Sequence, residues 1–299
     1  MPLSTVYYIL STINMPELPE VQTTVNGLNR TIKDKKIVDI STTYNSPFYK
    51  NKEEIKNPKY FKIFRKKVTG QKILRAERRA KNILIHLSGG ETILIHMKMT
   101  GHFVYDKLNY PFSRLDFTLD NKKHLVLSDM RKFAKVTLVK TVDLEKSLHL
   151  KHLGPEPLDP SFQLKDFSLQ LKKRPGGKIK QVLMDQSLIS GIGNIYSDEI
   201  LWRAGVHPLS HINRIPEKHL RAMFKATKET LKKGINFGGD SMSDYRNIKG
   251  RRGKFQDHHR AYQKHRTKCS KKGCSGVLEK MRIGGRSAHF CPVHQKLFK

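Results

Sequence analysis

Three cysteines and a histidine near the C-terminus are spaced as metal ligands usually are. Cys269 and Cys274 form one close pair, and Cys291 and His294 form a second pair after a spacer of sixteen residues. Zn²⁺ takes four ligands in a tetrahedron, and small zinc sites often draw two from each of two such pairs. His289 is an alternative fourth ligand, although the Cys-x2-His spacing favours His294. The pattern predicts one structural Zn²⁺ in a region too small and polar to fold easily without it.

A proline followed by two carboxylates could carry chemistry of another kind. Pro16, Glu17 and Glu20 lie at the start of a predicted helix, where proline and acids are also ordinary capping residues. If Pro16 were the first residue, its amine would have a pKa of about 8 and would be nucleophilic at neutral pH. Attack on a sugar C1′ atom would give an iminium ion, which is an electron sink for β-elimination. A neighbouring carboxylate could then move the protons.

The charge of the chain indicates the kind of partner. Its 299 residues include 58 Lys or Arg against 26 Asp or Glu, a formal net charge of +32. Such a protein is expected beside a polyanion, and first of all nucleic acid, because each phosphate contact releases counterions. Sixteen of the basic residues, but only two acids, fall between Arg246 and Lys299. We therefore expect a basic C-terminal module. No lipidation signal or long basic amphipathic helix favours a membrane.

Cysteine usage and the N-terminal residues indicate the compartment. The only three cysteines are clustered, which argues against a secreted disulfide framework. Residues 1–14 lack the basic region and the cleavage site of a signal peptide, and no apolar run is long enough to span a membrane. We expect a cytoplasmic protein.

The elements that must position these residues change type along the chain. Apolar residues at helical spacing predict a helix over residues 16–33. From about Lys36 to Val139, short apolar runs separated by turns predict antiparallel strands. The Pro-rich segment GPEPLDP, which begins at Gly154, predicts a linker, and helical periodicity follows it. Residues 238–260 are polar and basic, and we expect a flexible loop there.

Three separated motifs are similar to those of the formamidopyrimidine-DNA glycosylase family. The first is MPELPEV, which begins at Met15. The second comprises LMDQSLISGIGNIYSDE from Leu183 and RAGVHP from Arg203, and it resembles the helix–two-turns–helix element of the family. The third, GRSAHFCP from Gly285, resembles its zinc-finger hairpin. The similarity extends over residues 15–299 with the motifs in the expected order.

The resemblance implies a role for each matching residue. Pro16 would be the nucleophile, Glu17 the general acid/base, and Glu20 a supporting carboxylate. Lys81 would be a further catalytic residue, which lies at the phosphates of the lesion. Three residues would contact DNA phosphates, namely His96, Asn194 and Arg286. Three other side chains would fill the gap left by a flipped nucleotide, namely Met99, Arg131 and Phe133.

The resemblance also implies an architecture and an activity. We expect an α+β protein with an N-terminal antiparallel β-sandwich and flanking helix (16–149), a linker (150–160), a helix–two-turns–helix domain (161–259) and a β-hairpin zinc finger (260–299). The protein would remove oxidised purines from duplex DNA and cleave the strand through a Schiff base on Pro16. It would act as a monomer. The alternatives are an endonuclease VIII-type enzyme for oxidised pyrimidines and a zinc-dependent DNA-binding protein without catalysis.

The chain departs from the family pattern in five places. The first cysteine pair is Cys-x4-Cys instead of Cys-x2-Cys, and the last ligand is a histidine instead of a cysteine. The motif DMRKFA at Asp129 lacks a second Arg and a final Gly, and the centre of the loop 238–250 differs, which affects the lesion preference. Residues 1–15 would also block the nitrogen of Pro16. We interpret residues 1–14 as lying upstream of a true translation start at Met15, and this methionine would then be removed.

Overall fold

The computed structural model describes residues 15–299, so all but the last residue of the predicted extension lies outside the described residues. The chain divides into two compact units. The first comprises the described residues up to Lys151 together with Gly238–Lys254, and the second comprises His152–Phe237 and Phe255–Lys299. This division differs from the expected domains, because Gly238–Lys254 belongs with the sandwich and not with the helical domain.

The first unit contains two four-stranded antiparallel sheets, with the strand orders β1-β6-β7-β5 and β2-β3-β4-β8. Their inner faces share one apolar core with the helix α1, Leu18–Thr31. The predicted antiparallel β-sandwich is therefore confirmed. The strands are β1 Ile37–Thr42, β2 Ile73–Arg79, β3 Asn82–Leu87, β4 Glu91–His96, β5 His102–Tyr105, β6 Ser113–Leu119, β7 His124–Ser128 and β8 Lys135–Lys140.

A second helix, α2, spans Pro58–Val68 in the region where the sequence predicted only strands. Asn57 caps it by accepting the Lys59 N–H at 3.1 Å, and proline at the first helical position is preorganised for a helix. Only Phe64 and Val68, one turn apart, are buried. The apolar stripe is too narrow to stand out in a sequence so rich in lysine.

The second unit contains four helices and a hairpin among the described residues. The helices are α3 Leu164–Lys172, α4 Ile179–Met184, α5 Asn194–Ala204 and α6 Glu217–Asn236, and the hairpin strands are β9 Glu279–Ile283 and β10 Arg286–Phe290. Helix α5 packs closely on α6 at Gly234. A Cβ atom at this position would lie 2.6 Å from the ring of Tyr196, so a larger residue would not fit. No helix within residues 15–299 is long and apolar enough to cross a membrane.

Candidate active site and DNA-binding residues

The N-terminus of α1, directly after Pro16, holds the two carboxylates in a buried capping box. Glu17 is the N-cap residue, and the Glu20 carboxylate accepts the Glu17 N–H at 2.8 Å. The other oxygen of Glu20 accepts the N–H of Asp240 at 2.7 Å, so this side chain also anchors the loop 238–254. Glu17 and Glu20 are each only 2% exposed. The carboxylates therefore have fixed positions beside Pro16.

The loop expected to be flexible packs against α1 over several residues. A Cβ atom at Gly27, in the middle of α1, would lie 2.7 Å from the side chain of Ile248, so glycine is required for this approach. The phenol of Tyr245 is buried, and the Ser241 hydroxyl donates to the Tyr245 carbonyl at 2.8 Å. The loop is thus built onto the helix that carries the catalytic candidates.

Lys81 lies in the two-residue turn between β2 and β3. The preceding Ala80 has a φ of 54°, a left-handed conformation that is uncommon for alanine and that stores backbone strain in this turn. Asn82 pairs with His96 across β3 and β4, and His96 pairs with Lys135 across β4 and β8. The sheet therefore brings Lys81, His96 and Lys135 to one end of three neighbouring strands.

His96 is held in one tautomer as a neutral hydrogen-bond donor. Its Nδ1 accepts the N–H of Lys98 at 3.0 Å, so the ring proton is on Nε2. Burial lowers the pKa of His96 well below its usual value, and Lys98 and Lys81 lower it further. A neutral imidazole with an Nε2–H among lysines is suited to donate to a phosphate oxygen.

The three predicted gap-filling residues are close together on two adjacent loops. A guanidinium nitrogen of Arg131 lies 3.5 Å from the Met99 sulfur, and the guanidinium carbon stands 4.6 Å from the centre of the Phe133 ring. Phe133 is 45% exposed although it is apolar. Each loop contains a lysine in the left-handed region, Lys98 at φ 56° and Lys132 at φ 57°. Two strained loops thus present a compact group of side chains, in which Phe133 is exposed and Met99 and Arg131 are half-buried.

In the second unit, Asn194 and the finger hairpin form the other predicted phosphate site. Gly191 has a φ of 92°, and Gly193 precedes α5, which begins at Asn194. The amide nitrogen of Asn194 lies 3.3 Å from the hydroxyl of Ser287, the neighbour of Arg286 in β10. Backbone N–H groups and the helix dipole favour an anion at such a helix start.

A buried ionic network holds this region and was not predicted. The Lys180 ammonium contacts one carboxylate oxygen of Asp198 at 2.6 Å. The other carboxylate oxygen of Asp198 accepts hydrogen bonds from the backbone N–H of His289 at 2.9 Å and from its Nδ1–H at 3.0 Å. All three residues are at most 2% exposed. Asp198 thereby joins α4, α5 and β10. The only signal in the sequence was the presence of charged residues among the apolar positions of two helices.

The metal-ligand candidates converge as predicted, and His294 is the fourth member. The ligand atoms of Cys269, Cys274, Cys291 and His294 all lie within 4.8 Å of one another. Cys274 Sγ is 3.6 Å from Cys291 Sγ, and Cys269 Sγ is 3.3 Å from His294 Nδ1. Tetrahedral Zn–S bonds of about 2.3 Å require separations of this order. His289 is held by Asp198 and does not belong to the cluster.

The donor set fits a soft divalent cation. Burial raises the pKa of Cys291 to about 11, so a cation is needed to keep this sulfur as a thiolate at neutral pH. His294 Nε2 faces the carbonyl oxygen of Trp202 in the last turn of α5 at 3.0 Å, which orients the ring with Nδ1 toward the cysteines.

Comparison with known proteins agrees with this arrangement. Two family models match the chain, the formamidopyrimidine-DNA glycosylase N-terminal domain over residues 15–136 and the formamidopyrimidine-DNA glycosylase H2TH domain over residues 153–246. The formamidopyrimidine-DNA glycosylase of Lactococcus lactis subsp. lactis is 34% identical over 287 residues, which cover 94% of this chain and 100% of that protein. The corresponding protein of Protochlamydia amoebophila is 36% identical over 290 residues, with the same coverage.

Solved structures of this kind include complexes with DNA. The Lactococcus lactis enzyme bound to DNA with an abasic site matches with a TM-score of 0.83 and 32% identity, over 94% of this chain and 99% of that chain. Its complex with DNA containing N7-benzyl-Fapy-dG matches with a TM-score of 0.81, 32% identity, and 94% and 100% coverage. The chain belongs to the formamidopyrimidine-DNA glycosylase family of base-excision-repair enzymes.

Proposed function

We propose that this protein removes oxidised purines, such as 8-oxoguanine and formamidopyrimidines, from duplex DNA and then cleaves the strand at the resulting site. The main support is the capping box, in which two buried carboxylates have fixed positions beside Pro16. The relatives named for formamidopyrimidine-DNA, and the complex with a Fapy-dG lesion, favour purine lesions over the pyrimidine alternative. The enzyme would work as a monomer in the cytoplasm.

The chemistry begins with the amine of Pro16. Its lone pair forms a bond to C1′ of the damaged nucleotide, and the released base accepts a proton from the Glu17 carboxylic acid. The Pro16 nitrogen then loses its proton, the C1′–O4′ bond breaks, and O4′ takes up a proton to become a hydroxyl, so the sugar ring opens and a cationic iminium ion forms. Removal of a C2′ proton by the Glu17 carboxylate then feeds electrons into the iminium ion, and the 3′ C–O bond breaks with phosphate as the leaving group. A second elimination removes the C4′ proton and breaks the 5′ C–O bond, again with phosphate as the leaving group, and water then hydrolyses the C=N bond of the iminium ion and frees the Pro16 amine.

This mechanism requires a free nitrogen on Pro16. An amide nitrogen has no basic lone pair and cannot form a Schiff base, so the preceding residues must be absent from the active enzyme. We propose that translation starts at Met15 and that this methionine is removed. N-terminal sequencing of the native protein should therefore begin Pro-Glu-Leu.

The remaining residues would bind DNA and hold the fold. Lys81, His96, Asn194 and Arg286 would contact phosphates, and Met99, Arg131 and Phe133 would fill the gap left by the flipped nucleotide. We propose that the Cys₃His cluster holds one Zn²⁺ in a structural role. Its four protein ligands leave no open position for substrate.

Borohydride trapping on duplex DNA containing 8-oxoguanine tests the proposal. We would compare the 299-residue chain with a version that begins at Pro16, since the Pro16 nitrogen is an amide in the first and a free amine in the second; the DNA affinity of both is measured beside the trapping, because they also differ by residues 1–15. A covalent adduct with the Pro16 version alone is expected. If neither version forms an adduct while both bind DNA tightly, the lyase mechanism is wrong and a non-catalytic DNA-binding role replaces it.

A further inference from the structure

One buried carboxylate, that of Asp129, connects the two loops that carry the gap-filling side chains. Asp129 is 0% exposed and lies at the start of the second loop. One of its oxygens accepts the Ala134 N–H at 2.7 Å and the Tyr44 hydroxyl at 2.8 Å. The other accepts the hydroxyl of Thr100, in the first loop, at a short distance. A buried carboxylate needs several such donors, and here each comes from a different segment.

Thr100 carries this connection onward to the second loop. Its hydroxyl donates to Asp129 and accepts the backbone N–H of Arg131 at 3.1 Å. Thr100 directly follows Met99, and it is 1% exposed. The backbone of Arg131 is therefore held by the neighbour of Met99, and a single hydroxyl fixes the relative positions of these two side chains.

Tyr44 also donates a hydrogen bond to the Asp129 carboxylate, but it does not connect the two loops. It follows β1 and is buried, and both burial and the adjacent Asp129 carboxylate raise the pKa of its phenol above the usual value. The phenol thus stays protonated and donates to Asp129. Removing its hydroxyl would break one bond to Asp129 but would leave the bonds between Thr100, Asp129 and Arg131 in place.

We infer that Asp129 and Thr100 are positioning residues that make Met99, Arg131 and Phe133 act as one rigid wedge. Both loops contain a left-handed lysine, and such a backbone conformation persists only where surrounding contacts fix it. When the three side chains enter the DNA together, the Arg131 guanidinium reaches the unpaired base at a fixed distance from Met99. The network would then set how fast the gap is filled and how well the opposite base is distinguished. This inference rests on the gap-filling role assigned above.

The test compares Thr100→Val with Tyr44→Phe, because each removes one hydroxyl bonded to the same carboxylate. The DNA is a duplex with a tetrahydrofuran abasic site opposite 2-aminopurine, whose fluorescence rises when it loses its stacked neighbours. No base has to be excised from this duplex. We expect Thr100→Val to slow the fluorescence rise on mixing by about tenfold, since small misplacements of positioned groups cost this much or more. Thr100→Ser should restore the rate, and Tyr44→Phe should remain within about twofold of the parent.

The outcomes separate this inference from the proposed function. The excision rates of 8-oxoguanine opposite cytosine and opposite adenine should converge in Thr100→Val but not in Tyr44→Phe. Equal behaviour of the two variants in both measurements, with a normal parent protein, would overturn the positioning role. If the parent shows no fluorescence rise, the gap-filling role itself is wrong and the inference falls with it. If the parent shows the rise but excises nothing, only the proposed chemistry is wrong.

Discussion

At the scale of single residues, Glu17 combines a structural role with a proposed chemical role. It caps α1 and stands beside the proposed nucleophile. Substituting glutamine keeps an oxygen that can accept the capping hydrogen bond but removes the group that exchanges protons. In the protein beginning at Pro16, we predict that Glu17→Gln lowers single-turnover excision of 8-oxoguanine by at least about 100-fold, the usual contribution of general acid–base catalysis.

Thermal unfolding supplies the control for this variant. Because the capping oxygen is retained and only the negative charge at the helix N-terminus is lost, the free energy of unfolding should fall by no more than about 1 kcal/mol. An unchanged excision rate would show that another group moves the proton. A large loss of stability would instead show that the carboxylate charge is needed for the fold.

A second residue-scale prediction concerns His96 and acid pH. Its pKa is lowered in the folded state, so the unfolded chain binds the proton more readily. The free energy of unfolding therefore decreases as the pH falls below about 6.5, the pKa of an unfolded histidine. We predict that His96→Gln reduces the loss of stability between pH 7 and pH 5 in urea titrations. An undiminished loss would assign the acid sensitivity to the other buried histidines.

At this scale, the sequence identified residues that lie in recognisable motifs. It missed residues whose role depends on hydrogen bonds to distant parts of the chain. The cysteines were predicted because their spacing is typical of metal ligands, whereas Pro16 and Lys81 were predicted only through the resemblance of their motifs to the family. Asp129 was quoted only as part of a motif, because nothing in a linear sequence shows that Tyr44, 85 residues away, donates to it. Buried networks of this kind are defined by long-range contacts.

At the scale of elements, the sequence predicted the segments with strong apolar periodicity. It did not predict the packing between segments that are distant in the sequence. Helix α1 and the strands of the sandwich follow from their apolar spacing. Helix α2 was missed because its apolar face is narrow. The loop 238–254 was assigned to the helical domain because it follows α6 in the chain, but the contact of Ile248 with Gly27 joins it to the first unit.

The β9–β10 hairpin and the Cys₃His cluster allow a prediction about metal binding at the scale of elements, because they contain two histidines with different contacts. His294 belongs to the Cys₃His cluster, whereas His289, five residues earlier on β10, is bonded to Asp198. We predict that His294→Ala weakens Zn²⁺ binding on the order of 100-fold, about one ligand's share of the binding free energy. His289→Ala should keep one zinc per chain, measured by release to a chromophoric chelator. Equal zinc loss in both variants would contradict the assignment.

His294→Cys extends this test to the choice of ligand. A fourth thiolate would still complete the tetrahedron, so this variant should retain zinc. It would lose the contact between His294 Nε2 and the Trp202 carbonyl, which links the cluster to α5. Faster amide exchange in the last turn of α5, with zinc still bound, is the expected result. Unchanged exchange would show that packing alone holds this helix end.

At the scale of the whole molecule, the net charge of +32 makes DNA affinity a function of salt. The logarithm of the binding constant should fall linearly with the logarithm of salt concentration, with a slope of about −0.9 for each phosphate neutralised by a positive charge. Of the four proposed phosphate contacts, Lys81 and Arg286 are cationic, whereas His96 is neutral and Asn194 is an amide. In a salt titration, loss of Lys81 or Arg286 should therefore change the slope, whereas loss of His96 or Asn194 should change only the affinity.

Lys81→Ala and Asn194→Ala test this difference on abasic-site duplex DNA. We predict that Lys81→Ala lowers affinity and makes the salt slope shallower by about 0.9, because one fewer counterion is released. Asn194→Ala should lower affinity by roughly fivefold, the value of one hydrogen bond, and should leave the slope unchanged. Fluorescence anisotropy at several salt concentrations measures both quantities. An unchanged slope for Lys81→Ala would mean that its ammonium group does not neutralise a phosphate, and the basic surface of the protein would then bind DNA through other residues.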